Sequence, residues 1–257
     1  MKYKYLFVLL FLCSNARAQD SFQLAPPLIK YQSIFFDDRL KVPIVFEQRG
    51  AYITYSIDGE TSKAKKYNKP ILINKELTTI KARANSKDFR ASEIVEATFI
   101  KSGIPVMVHF PEASGPYKRN KPSILSDNQG GITNHNSPTW LGYDKDSVSL
   151  IIETGKVQSL RKVLINVLQN QQAWIFPPSK AVVYAYDKQT NGFSQVLTTV
   201  STPLEKNEKV QCSAIILELN NCKTDKVKLV LYNNKLPSWH QGAGKLAWMF
   251  IDEVKLY

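Results

Sequence analysis

A period of two dominates this chain. Ala51-Tyr52-Ile53-Thr54-Tyr55-Ser56-Ile57 alternates and then ends in Asp58-Gly59, a turn dipeptide. Ile71 to Ile73, Thr79 to Ala84 and Ile94 to Ile100 follow, each bounded by polar residues. Beyond them, alternating runs recur at Val148 to Glu153, Val163 to Leu168, Ala181 to Tyr186, Ala214 to Leu219, Val227 to Tyr232 and Ala247 to Leu256. No segment longer than about ten residues keeps a capped i, i+3, i+4, i+7 pattern. Side chains two apart share one face of a strand, so these runs predict half-buried sheets and an all-β fold built from sandwiches. Composition changes at Ser102-Gly103-Ile104-Pro105: all four Trp and all three His lie beyond it. That change divides the chain into one β-sandwich over 25–102 and a second over 103–257. Pro111 to Thr139 is the longest loop, and Tyr117 and Trp140 near its ends suggest that it is ordered against the body.

Residues 1–18 read as a signal peptide. A short basic start, an apolar stretch from Tyr5 to Cys13, and Ala16-Arg17-Ala18 ahead of Gln19 place cleavage near Ala18 and the protein in a secreted or periplasmic setting. No other stretch has the ~18 apolar residues of a transmembrane helix. Removing Lys2, Lys4 and Arg17 takes the formal charge from +12 to +9. The lysines are scattered along strand-like runs with no arginine-rich block. They read as a solvated surface and not as a nucleic-acid footprint; the alternative is adhesion to an acidic polysaccharide. Cys212 and Cys222 remain after processing. An oxidising compartment would let them pair, whereas an extended run from Ser213 to Leu219, at ~3.3 Å per residue, argues for two sulfurs beyond bonding distance.

Tyr55-Ser56-Ile57-Asp58-Gly59-Glu60, Tyr67-Asn68-Lys69-Pro70-Ile71, Ile80-Lys81-Ala82-Arg83-Ala84 and Ser92 resemble the small immunoglobulin-like sandwich at the C-terminus of chitobiase and β-hexosaminidase. Glu60 to Lys66 departs from that family's pattern, lacking its usual Pro-Thr. The second half resembles a discoidin-like (coagulation factor 5/8 type C) sandwich, a jelly-roll galactose-binding fold shared with family 32 carbohydrate-binding modules. The residues that carry this are Leu125-Ser126-Asp127, Gly130-Gly131, Trp140-Leu141-Gly142-Tyr143, Thr154-Gly155-Lys156-Val157, Gln169 to Pro178 and Trp239 to Gly244. They are similar to the version appended to secreted bacterial family-20 glycoside hydrolases. The resemblance implies a carbohydrate-processing context without the catalytic barrel, which alone takes about 250 residues.

Catalysis finds little support in the residues. A glycosidase needs two carboxyl groups flanking the bond. Asp252 and Glu253 are neighbours on a strand and are expected to point to opposite faces. Asp144 and Asp146 share a face, but nothing marks one as acid and the other as base. His240 has no triad partner nearby. The chain therefore reads as a non-catalytic carbohydrate-binding or accessory protein. The rivals are a protein-binding adhesion module and a subunit that docks to a separate glycoside hydrolase.

The expected glycan site is Trp239, His240 and Gln241 with Trp174, for a ligand containing N-acetylhexosamine or galactose. Exposed rings can stack on sugar faces, and Gly242 and Gly244 let the backbone turn sharply beside them. The same residues could instead be a corner loop, with Trp239 folded back and His240 bonded to a carbonyl. Trp174 and Phe176 are expected to share a face opposite Ile175, and Trp140 to be buried. The discoidin resemblance also implies a structural calcium, with Asp127 and Glu253 at the matching places. The plainer reading of that pair is an exposed turn Asp and an ordinary strand Glu.

Overall fold

The computed structural model describes residues 22–59, 63–201 and 205–257; the signal-peptide reading of 1–18 lies outside them. The fold is all-β. Among the described residues, helical geometry is confined to short 3-10 turns such as Gly115–Tyr117 and Gln171–Ala173.

The first half carries β1 (Leu28–Ile29), β2 (Phe35–Phe36), β3 (Leu40–Val42), β4 (Ile44–Val45), β5 (Tyr52–Ile57), β6 (Lys65–Lys66), β7 (Ile71–Ile73), β8 (Leu77–Asn85) and β9 (Val95–Lys101). A five-stranded sheet runs β2-β9-β8-β5-β6, while β3 pairs with β7 and β1 with β4. β8 shows why. Every second residue from Thr78 to Ala84 is buried, and the residues between them are half-covered. Ile80 and Ala82 enter a core with Val42, Ile53 and Phe99. Each fully buried Ile or Phe there contributes about 1.5–3 kcal/mol of burial free energy. Asp58 and Gly59 both take positive φ, as the turn dipeptide predicts, and the Asp58 carboxylate accepts a hydrogen bond from the Thr79 amide.

The second half carries β10 (Met107–His109), β11 (Leu141–Tyr143), β12 (Ser147–Gln169), β13 (Lys180–Asp187), β14 (Gly192–Val200), β15 (Gln211–Tyr232) and β16 (Met249–Leu256). Two pairs of sequence runs merge. Val148 to Glu153 and Val163 to Leu168 are one 23-residue strand, and Ala214 to Leu219 and Val227 to Tyr232 are one 22-residue strand. β12 and β15 pair antiparallel along nearly their whole length. The register breaks between Glu153 and Gln158, where four residues on β12 face one on β15. A second break lies between Leu160 and Lys162, and the buried set on β12 changes parity there. Val148, Leu150, Ile152 and Leu160 precede it, Val163, Ile165 and Val167 follow it, and all seven belong to one core. The ribbon therefore turns a corner and supplies both walls of the sandwich. One wall adds β10, β13 and β14; the other adds β16 and β11.

The outer faces of the two walls differ. Behind the second wall, Leu164 and Tyr257 pack on Ile34, Phe35 and Ile100 of the first half. The presumed linker there is stitched down: the Ile104 amide donates to the Leu256 carbonyl, and a Cβ on Gly103 would lie 2.2 Å from that same oxygen. Glu76 receives Arg161 and Lys162, each at 2.8 Å. Cys212 and Cys222 are free thiols facing Leu168 and Leu160 at well-separated rungs of the ribbon. Burial pushes the Cys212 thiol up to about 12, with the nearby Asp252 adding to it.

Burial alone would raise the Glu76 pKa, but hydrogen bonds from Lys162 and Arg161 outweigh it and hold the carboxyl below its ordinary value. A carboxyl with a depressed folded pKa stabilises the fold above its unfolded pKa and ceases to do so as pH falls through the folded one. Glu76→Gln should therefore melt below the wild type at pH 7, and the gap should close below about pH 4. Melting curves across that range would show it; a gap independent of pH would exclude the ion pair as its cause.

Candidate functional site

Trp239 sits on a tight loop between Leu236 and Lys245. Successive backbone bonds close it: His240 to Pro237, Ala243 to His240, Gly244 to Leu236 and Lys245 to Gly242. Gly244 takes φ +80°, and a Cβ on Gly242 would come within 2.8 Å of both Leu236 and the Trp174 ring. The first glycine supplies the left-handed turn and the second the close approach.

Beneath the loop lies an aromatic floor. Phe176 is wholly buried, with the His240 ring 5.7 Å and the Trp239 ring 6.2 Å from it. Trp174 meets His240 edge-on at 5.5 Å and carries the Lys245 ammonium over its other side. Trp174 and Phe176 share a face as expected, packing with Leu236 and Ala247, while Ile175 packs on the other side with Trp140, Leu168 and Phe250. Ile175 and Phe176 are both buried because both faces of the segment are covered, and the 3-10 turn Gln171–Ala173 leads into it through Trp174 at φ 65°. Both His240 nitrogens are used: Nδ1 accepts from the Gly242 amide and Nε2 donates to the Gln171 carbonyl. That fixes a neutral tautomer and makes His240 a brace for the loop. Trp239 remains 39% exposed, the one large ring of the four presented to solvent.

In front of Trp239 is an open depression of about 200 Å³, lined also by Gln171, Gln172, Lys206, Asn207, Glu208, His240 and Gln241. Of the four residues expected from sequence, the structure brings Trp239, His240 and Gln241 to this depression, while Trp174 supports the loop from behind. Sequence reading missed the opposite rim. Gln171 creates it: its buried amide donates to the Glu205 carbonyl and accepts from the Asn207 amide, clamping residues 205–207 beside the Trp239 loop. No local signal marks that pairing, since the partners are more than thirty residues apart. The depression offers a ring, several amides and one ion pair, Lys206 with Glu208 at 3.5 Å. Glu208 is the only carboxylate lining it among the described residues.

The second candidate is an acidic cluster on β16. Asn166 pairs with Glu253 and Val167 with Ile251, so Asp252 is an extra residue in a bulge. Core-facing residues change from Met249 and Ile251 to Val254 and Leu256 across it. The bulge overturns the expectation that Asp252 and Glu253 point to opposite faces. Both carboxyls lie on the side away from the core, fully buried beneath residues 127–131. Asp252 accepts from the Asn166 amide at 2.6 Å and from the Gly131 amide at 2.6 Å. Glu253 Oε1 accepts from the Asn128 amide at 2.5 Å and from the Lys255 ammonium at 2.9 Å. Burial raises both carboxyl pKa values, with repulsion from Glu253 and Asp127 adding to it at Asp252 and repulsion from Asp127 at Glu253.

Tested against a calcium ion, this set does not fit. Calcium takes six to eight oxygens. Here the loop aims amide N–H groups, not carbonyls, at the carboxylates. Asp127 already holds the Lys121 ammonium at 2.6 Å, and Lys255 bridges Glu253 and the Asn128 side chain. Within this cluster, among the described residues, Glu253 Oε2 is the buried side-chain atom left without a partner. Among the described residues no group of three or more His, Cys, Asp or Glu is arranged to hold a metal. The Lys255 ammonium is the resident cation. Lys255→Met should then cost about 3–5 kcal/mol, the penalty for stranding a buried charge, and calcium or a chelator should leave wild-type melting unchanged. A calcium-dependent rise in the wild-type midpoint would reverse the assignment.

The family described as Fn3 associated matches residues 42–99. No curated protein sequence matches the chain. Among solved structures, the chain is similar to the CBM32-5 module of Clostridium perfringens GH89, solved in complex with GalNAc-β-1,3-galactose, at 16% identity and TM-score 0.40, covering 61% of this chain and 99% of that one. It is similar to the C-terminal domain of a chitobiase from Bacteroides fragilis at 17% identity and TM-score 0.39, covering 61% and 95%. A Ruminococcus gnavus GH29 fucosidase gives 13% identity and TM-score 0.39 over 60% of this chain, which spans only 25% of that enzyme. At such values the reading of the site rests on the chain's own geometry. Among the described residues, no helix is long and apolar enough to cross a membrane.

Proposed function

We propose that this protein is a non-catalytic glycan-binding accessory protein whose ligand lies across Trp239. The carrying observation is that one indole stands 39% exposed at the rim of an open depression while the aromatic rings beneath it are braced within the protein. A rigid, partly exposed ring with amides on both sides suits the stacking of a sugar face and the reading of its hydroxyls. Gln172, Asn207 and Gln241 are the polar readers, and His240 holds the loop. The reading includes two sandwich modules, 25–102 and 103–257, and export after cleavage near Ala18. The sugar class, an N-acetylhexosamine- or galactose-containing glycan, follows the resemblance to modules of carbohydrate-processing enzymes, as does a separate glycoside hydrolase as partner. A glycan array with the full chain tests the proposal. Binding should be seen for at least one such glycan, and Trp239→Ala should weaken it about tenfold or more, equivalent to ~1.4 kcal/mol. A wild type that ignores every glycan refutes the function, and an unaffected variant refutes the site.

A further inference from the structure

The lysines scattered in sequence are gathered by sheet register. On the first wall of the C-terminal sandwich the odd-numbered residues Val227, Leu229 and Leu231 of β15 and Ala181 and Val183 of β13 face the core. Their even-numbered neighbours therefore point outward. Lys228 pairs with Tyr184, and Lys180 with Tyr232. Each ammonium rests over a tyrosine ring: Lys180 over Tyr232 at 5.0 Å, Lys226 over Tyr186 at 5.5 Å and Lys228 over Tyr184 at 5.6 Å.

Neutralisation is incomplete. Lys226 is bound to Glu153 at 2.8 Å, the one acid in these rows. Lys180 and Lys228 lie beside rings, and among the described residues neither forms an ion pair with a carboxylate. An ammonium beside a ring keeps its charge for a ligand in a way that one on a carboxylate does not. The two free cations stand four residues apart along the ribbon, ~13 Å at strand rise, and the full lysine row spans ~20 Å.

This face is the more open of the two, although Val182 within it is 2% exposed. The corresponding face of the second wall is covered by the first half of the chain. Here Ser149 of β12 and Gln195 and Thr198 of β14 stay exposed in the same rows and flank the lysines with hydroxyl and amide groups.

We propose that this sheet face, through Lys180, Lys226 and Lys228 with their tyrosines, binds an extended acidic polysaccharide. The surface is flat, rich in hydroxyls and rings, and long enough for several sugar units. Its cations are all lysine. Ammonium groups without a carboxylate partner, interleaved with rings and hydroxyls, suit a chain that carries anions on a sugar frame. The assignment does not depend on Trp239, which lies on a different loop.

Affinity electrophoresis and calorimetry of the full chain with alginate, dextran sulfate and neutral dextran, in about 50 mM salt where screening is weak, test it. At least one acidic polymer should bind and dextran should not. Lys180→Ser with Lys228→Ser should weaken that binding at least about tenfold, or ~1.4 kcal/mol, while Lys180→Arg with Lys228→Arg retains most of it. Ser149→Glu, which removes no core contact and adds an anion to the face, should weaken binding in the same direction and controls for misfolding of the double variant. The proposal is overturned if neither acidic polymer binds, if the double Ser variant and Ser149→Glu both bind as the wild type does, or if double-stranded DNA or phosphatidylglycerol vesicles bind more tightly than the polymers.

Discussion

The bend of the β12–β15 ribbon is the constraint from which the rest of the second half follows. One antiparallel pair crosses the core twice, so two register breaks, at Thr154 to Val157 and between Leu160 and Lys162, decide which residues face inward on both walls. Once that parity is set, β16 must bury both of its faces, because one lies on the sandwich core and the other beneath the 127–131 loop and the first half of the chain. The more open wall and the covered wall are consequences of the same bend. A flat, two-faced sheet would have offered no such distinction between a surface to pack against and a surface left to solvent.

Burying the second face of β16 creates a polar problem that the loop solves. Asn166, Asp252, Glu253 and Lys255 are all at most 5% exposed. Unpaired, such groups would each cost several kcal/mol. The backbone amides of Asn128 and Gly131 and the Lys255 ammonium supply nearly every bond, leaving one carboxylate oxygen over. Gly131 is needed for this. It takes φ +70° and a Cβ there would lie 2.2 Å from the Ile34 side chain, so the loop reaches the carboxylate and the first half together only with glycine.

What could be read from sequence was what depends on local period. The strands of β5, β8 and β16, the burial of Trp140 and the Asp58-Gly59 turn follow from alternation and turn chemistry, and the structure contains them. What could not be read depends on two strands meeting. Val148 to Glu153 and Val163 to Leu168 read as two strands and instead are one, because β15 carries the pairing past the residues between them. β14 was not distinguished as a strand, since it lies at the sheet edge, almost every residue from Gly192 to Val200 is exposed or half-exposed, and no alternation survives in the sequence. The bulge at Asp252 is invisible for the same reason: its cause is the register against Asn166, nearly ninety residues away.

The depression at Trp239 obeys this logic too. The ring itself was legible, as an indole in a glycine turn. Its setting was not, because the Gln171 amide that joins the two rims acts across more than thirty residues and looks in sequence like an ordinary polar loop residue. The same amide separates the roles within the site. With residues 205–207 clamped by Gln171 and the loop braced by His240, neither rim has to be ordered by the ligand, and the entropy of fixing it has been met in folding. A shallow surface with a single exposed ring has few contacts to offer, so a preformed rim is the means by which such a surface can hold a sugar at all.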